Sequence, residues 1–149
     1  MTQSMILIST NHRCLRFPKK DVLRAIRWIF QVERKKIPSL AIIFTDNAFM
    51  RTINNDYLNH DYATDVITFP FHQDENMESE IYINLDAARE QAKLYNVTYL
   101  QESLRLLVHG VLHLLGYDDL TKQKAQKMHK REDYYLASLS KQKREKRRA

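Results

Sequence analysis

Only two glycines occur in the 149 residues of this chain, and both fall within one stretch, His109-Gly110-Val111-Leu112-His113-Leu114-Leu115-Gly116-Tyr117-Asp118-Asp119. The pattern reads H-x3-H-x2-G-x2-D. Two histidines four apart on a helix stand about 40° apart around its axis, so both imidazoles project from one face. Glycine takes the left-handed conformation that ends a helix and turns the chain back. Gly116 therefore predicts a turn that brings Asp118 or Asp119 towards the paired imidazoles as a third ligand. Three ligands with one open position are the arrangement of catalytic zinc rather than of a closed structural site.

The metzincin zinc proteases place their turn glycine seven and their third ligand ten residues after the first histidine, and Gly116 and Asp119 hold those offsets. Those proteases carry glutamate immediately after the first histidine as general base. Here that position is Gly110, which has no titratable group. Peptide hydrolysis by the usual route loses its proton acceptor, and a zinc peptidase would have to recruit a base from elsewhere.

The chain fits one domain with a sizeable core. No apolar run approaches the roughly 20 residues of a membrane span, and the first ten residues lack the basic start and small-residue cleavage site of an export signal. Cys14 is the sole cysteine, which excludes an intramolecular disulfide, suits a reducing cytoplasmic setting and leaves His and carboxylate as metal ligands. The formal charge is +6, of which residues 141–149 supply a net +5. That tail reads either as a solvated, disordered end or as a phosphate-binding arm built from Lys143, Arg144, Lys146, Arg147 and Arg148.

Periodicity predicts β-α-β-α-β-β-α-α-α: strands near residues 5–8, 40–44, 65–69 and 80–84, and helices opening at Pro18, near Asn47, after Asn84, after Thr98 and near Lys122. Phe49, Met50, Ile53 and Tyr57 are expected on the inner face of the second helix. Thr98 and Gln101 have the spacing of a capping box, and the last helix is expected to end near Ser138. The order implies one α+β domain over residues 1–140, with a small mixed sheet of about four strands and about five helices, followed by the basic tail.

Together these residues resemble the YbeY family of bacterial single-strand endoribonucleases. The family hallmark H-G-x-L-H-L-x-G-Y-D-H matches His109 to Asp119 at every fixed position but the last. A second family stretch, L-N-x-x-Y-R-x-x-D-x-x-T-D-V-L-S-F-P, is similar to Ile53 through Pro70, and G-D-I-x-I to Ser79 through Ile83. The resemblance implies one Zn²⁺ per chain, single-stranded RNA as substrate, and a role in ribosomal RNA maturation and ribosome quality control beside the small ribosomal subunit. It implies His109, His113 and Asp119 as the metal ligands.

Two positions depart from the family. Asp119 stands where the family has a third histidine; carboxylate is an accepted zinc ligand, but it lowers the charge of the site by one and favours harder ions. Leu58 stands where the family has arginine and cannot bind phosphate. His60 in the same loop and Arg105 one turn before His109 are the candidate substitutes, and Asp118 is a candidate either to orient a ligand imidazole as an acceptor or simply to cap the turn. Leu58 also supports an alternative, a catalytically weak, zinc-containing RNA- or ribosome-binding assembly factor.

Overall fold

The computed structural model describes residues 5–58, 63–70 and 78–148, apart from the side chains of residues 57 and 58. Four strands, β1 (Ile6–Thr10), β2 (Leu40–Thr45), β3 (Val66–Phe69) and β4 (Ser79–Asn84), form one mixed sheet in the order β1-β2-β4-β3. The pairs β1–β2 and β2–β4 are parallel, and β3 runs antiparallel to β4. The helices are α1 (Lys19–Val32), α2 (Asn47–Leu58), α3 (Leu85–Tyr95), α4 (Tyr99–Leu114) and α5 (Lys122–Arg148). This is the α+β architecture expected from the periodicities. No described helix is long and apolar enough to cross a membrane.

Strand alternation explains the layering. Leu40, Ile42 and Phe44 of β2 share a face with Ile81 and Ile83 of β4, and that face is buried under α1, α4 and α5 through Ile26, Ile29, Leu107, Val111 and Tyr135. On the opposite face Ile67, Phe69 and Tyr82 pack under Met50 and Ile53 of α2. Phe49, expected inside, is 40% exposed, its ring centroid 6.2 Å from that of Tyr82. The buried stripe of α2 is Met50, Ile53 and Asn54, so Phe49 falls at its margin.

Asn84 joins three segments. Its Oδ1 accepts from the backbone N–H groups of Asp86 and Ala87 and caps α3, while its Nδ2 donates to Asn47 Oδ1 and to the Thr64 carbonyl. Beside it, His12 is almost fully buried. Its Nδ1 accepts from the Leu15 and Cys14 amides, which fixes Nε2 as the donor to Asp86 Oδ1 at 2.8 Å. Burial pushes the Asp86 carboxyl up, but the bonds from His12 and the Asn47 amide outweigh it and hold the group below its ordinary value. A carboxyl lowered by folding stabilises the protein above its unfolded pKa and loses that contribution as pH falls through the folded value. Asp86→Asn should therefore flatten the acid limb of a stability–pH curve below about pH 4 and destabilise the neutral protein by on the order of 1.5 kcal/mol. Urea melts from pH 3 to pH 7 test this; parallel wild-type and mutant curves would exclude it.

Residues 141–148 of the basic tail are helical. Helix α5 continues to Arg148 instead of stopping near Ser138. Lys, Arg, Gln and Glu are good helix formers, buried Leu139 anchors the segment, and Lys143 reaches Asp21 of α1 at 3.7 Å. Cations in a last helical turn also offset its dipole.

Candidate metal centre

Helix α4 is defined at both ends by local chemistry. Thr98 Oγ1 accepts from the Gln101 amide at 3.0 Å and Gln101 Oε1 from the Thr98 amide at 2.9 Å, the reciprocal capping box expected from the spacing. At the far end Gly116 has φ +101°. The Tyr117 amide donates to the Leu112 carbonyl and the Gly116 amide to the His113 carbonyl, both at 3.0 Å. These two bonds form a Schellman turn, and they send the chain back over the last turn of α4.

That reversal assembles the site. His109 Nε2 and His113 Nε2 lie 3.0 Å apart with their rings nearly perpendicular. One ligand atom from each of His109, His113 and Asp119 falls within 4.8 Å of the others. His113 Nδ1 lies 3.0 Å from the Tyr117 carbonyl oxygen. A carbonyl only accepts, so this nitrogen carries the proton and the neutral ring turns its Nε2 lone pair inward. His109 Nδ1 lies 2.8 Å from Glu132 Oε2, which imposes the same tautomer. Two lone pairs facing each other repel unless a proton or a metal cation sits between them. Tetrahedral zinc with bonds near 2.0–2.1 Å would separate two nitrogens by about 3.3 Å. The donor set and its spacing fit such an ion.

The surrounding field also favours positive charge. Burial disfavours the His109 imidazolium, but Glu132, Asp65 and Asp119 together hold its pKa above the ordinary value. Glu132 is 2% exposed, and its other oxygen is 3.4 Å from Arg105. Asp118 does not take the orienting role expected for it; it accepts from the Leu120 amide and pairs with Lys124. The turn directs its side chain along the start of α5, leaving imidazole support to Glu132 and the Tyr117 carbonyl. Periodicity could have flagged Glu132, which interrupts the stripe Met128, Tyr135 and Leu139, all buried on α5.

Glu132→Ala should weaken zinc binding about 10- to 100-fold. Glu132→Gln should weaken it less, because the amide oxygen still accepts from Nδ1–H. Competition against a chromophoric chelator measures both; unchanged affinity in the alanine variant would remove Glu132 from this role.

Arg105 is held by carboxylates. Its guanidinium reaches Glu132 at 3.4 Å, Asp133 at 3.2 Å and Glu102 at 4.0 Å. Buried Glu102 has its pKa raised by desolvation and by the charges of Asp65 and Glu132, with Arg105 opposing. Below the site Tyr117 Oη donates to Glu33, which also receives Tyr135 Oη and, at 2.6 Å, Arg131. Burial raises the Glu33 carboxyl, but these three donors together bring it below its usual value. The cluster ties the end of α1, the turn after α4 and the middle of α5 together.

Gly110 faces the sheet. A Cβ there would come within 2.7 Å of Ile81 Cγ2, and the Gly110 carbonyl accepts from Thr68 Oγ1 at 3.1 Å. The position at which zinc proteases carry their base is thus packed against β3 and β4.

His60 lies outside the described residues, as do residues 59–62 of the second family-like stretch. The cations Lys143, Arg144, Lys146, Arg147 and Arg148 lie on the last turns of α5. Lys143 is eleven residues beyond Glu132, about 16 Å along the axis.

A family model described as Endoribonuclease YbeY matches residues 8–140. Proteins named Endoribonuclease YbeY include one from Chlorobium chlorochromatii (strain CaD3), 42% identical over 126 residues that cover 85% of this chain and 81% of the relative. Another, from Karelsulcia muelleri (strain GWSS), is 39% identical over 118 residues, covering 77% and 84%. The solution structure of TM1509 from Thermotoga maritima matches with a TM-score of 0.65 at 24% identity, over 95% of this chain and 93% of that one, a likeness of fold. With the family model spanning residues 8–140 and relatives of this identity covering three quarters or more of the sequence, the chain belongs to the YbeY family.

Proposed function

We propose that this chain is a metal-dependent, single-strand-specific endoribonuclease of the cytoplasm, acting on ribosomal RNA in small-subunit 3′-end maturation and ribosome quality control. The observation that carries this reading is the convergence of His109, His113 and Asp119 in a chain whose relatives are named endoribonucleases. These three side chains would hold one Zn²⁺, and such an ion supplies a Lewis acid for a phosphate oxygen. Glu132 and the Tyr117 carbonyl fix the imidazole orientations. Asp65 and Thr68 belong to the wall contributed by β3 and the residue before it. The cations at the end of α5 add long-range attraction for a phosphate backbone, and single strands fit the reading because their bases can be splayed away from a narrow site.

One observation favours a second reading, a zinc-containing assembly factor with weak intrinsic cleavage. Leu58 replaces the family arginine, and Arg105, the described candidate to replace it, already bridges Glu132, Asp133 and Glu102.

The test uses end-labelled RNA oligonucleotides, single-stranded and duplex, with the purified chain before chelation, after chelation and after zinc is restored. The endoribonuclease reading expects internal cleavage of the single strand that chelation stops and zinc restores. Binding of RNA without cleavage in every arm would select the assembly factor.

A further inference from the structure

Beyond the histidine site, a groove of about 600 Å³ lies among α1, the first half of α4 and the second half of α5. Its lining is aliphatic: Leu100 and Leu104 from α4, Leu136 and Leu139 from α5. The apolar surface continues outwards at Val97 and Leu100, which are 40% and 44% exposed. Four cationic side chains line the groove, Arg24, Arg105, Lys143 and Arg147, against two carboxylates, Asp21 and Glu102, and Arg105 is already held by Glu102, Glu132 and Asp133. Arg24 and Lys143 share the single carboxylate of Asp21, at 3.8 and 3.7 Å. Arg147 has no partner among the described residues.

We propose that this groove docks an acidic amphipathic helix of a protein partner. The α5 positions on its wall, Leu136, Leu139, Ser140, Lys143 and Arg147, recur at helical spacing and pass from apolar to basic over about 16 Å of axis, about three turns of an incoming helix. An occupant with apolar residues at i, i+3 or i+4, and i+7, flanked by Asp or Glu, matches both halves of that stripe. An exposed apolar surface rimmed by charge is the usual mark of a protein contact. RNA fits less well. Phe17, the one aromatic lining residue, is 8% exposed with its ring stacked on Phe44, so no free aromatic face is offered to a base.

The probe is a displayed library of random peptides of about 16 residues, four to five helical turns, selected on the full chain. Leu100→Glu and Arg147→Glu alter exposed side chains, and unchanged circular dichroism and thermal midpoint establish that each variant folds. Enriched peptides are expected to carry the acidic amphipathic pattern. Their affinity is expected to fall about tenfold or more with either substitution and to weaken with salt. Three outcomes overturn the proposal: no enrichment above that on the Leu100→Glu chain, enriched peptides indifferent to both substitutions, or displacement of the peptides by a single-stranded RNA oligonucleotide. The last assigns the groove to nucleic acid. Because binding is read without any cleavage step, failure here leaves the nuclease reading untouched.

Discussion

His113→Ala is expected to leave a folded protein that no longer retains zinc and no longer cleaves RNA. The imidazole is half-buried at the end of α4, where its Nδ1 meets the Tyr117 carbonyl and its Nε2 faces His109. Its removal leaves a small space and one unpaired acceptor near solvent, so the stability loss should stay within about 1–2 kcal/mol. The functional loss should be far larger. Supporting residues around metal ligands already contribute 10- to 100-fold in affinity or activity, so a ligand itself should be worth at least about 100-fold. Elemental analysis should find one equivalent of zinc in the wild type and a trace in His113→Ala. Asp119→Ala should also lose zinc, whereas full retention would move the third ligand elsewhere. Cleavage equal to wild type in His113→Ala would mean that the activity belongs to a contaminant.

The largest expected effect on stability comes from Gly110→Glu, which writes the protease motif into this helix. The new Cβ would stand 2.7 Å from Ile81 Cγ2 and 3.4 Å from Thr68 Oγ1, and Ile81 is fully buried. Overpacking of this kind costs about 1–3 kcal/mol. A carboxylate without a partner in the helix–sheet seam adds several more, or stays protonated. Replacing glycine within a helix returns only about 1 kcal/mol. The net loss of about 3 kcal/mol or more should lower the melting midpoint by roughly 6–12 °C for a chain of this size or yield insoluble protein. Gly110→Ala, which meets only the steric part, should lose about 0–2 kcal/mol. Thermal melts of the two variants separate the effects, and a Gly110→Glu protein as stable as wild type would mean that α4 can lift off the sheet.

Short-range features of the fold were legible in the sequence. The limits of α2, the capping box at Thr98, the Asn84 cap and the turn at Gly116 are set by neighbours a few residues apart, where helix chemistry has direct sequence signatures. Tertiary partners were less visible. Glu132 meets His109 across 23 positions, and nothing at either residue names the other. The clue was indirect, a carboxylate on the buried stripe of an otherwise very polar helix. Residues 141–148 carry opposing signals: their charge density suggests disorder, while their helix propensity and the anchor at Leu139 favour the helical course of α5. The offset of ten residues from His109 favoured Asp119 over Asp118 as the third ligand, and the direction of the chain after Gly116 agrees, turning Asp118 to Lys124 and Asp119 to the histidines.

The two imidazoles differ in how readily mutation can disturb them. His109 depends on a single carboxylate, so one codon change at position 132 can misalign it. His113 leans on the main-chain oxygen of Tyr117, a group every amino acid possesses, so no exchange of the tyrosine ring deletes it. The vulnerable locus for this second histidine is displaced to Gly116, whose φ of +101° L side chains rarely adopt. Random mutagenesis scored by metal retention should therefore find tolerance at 117 and intolerance at 116 and 132.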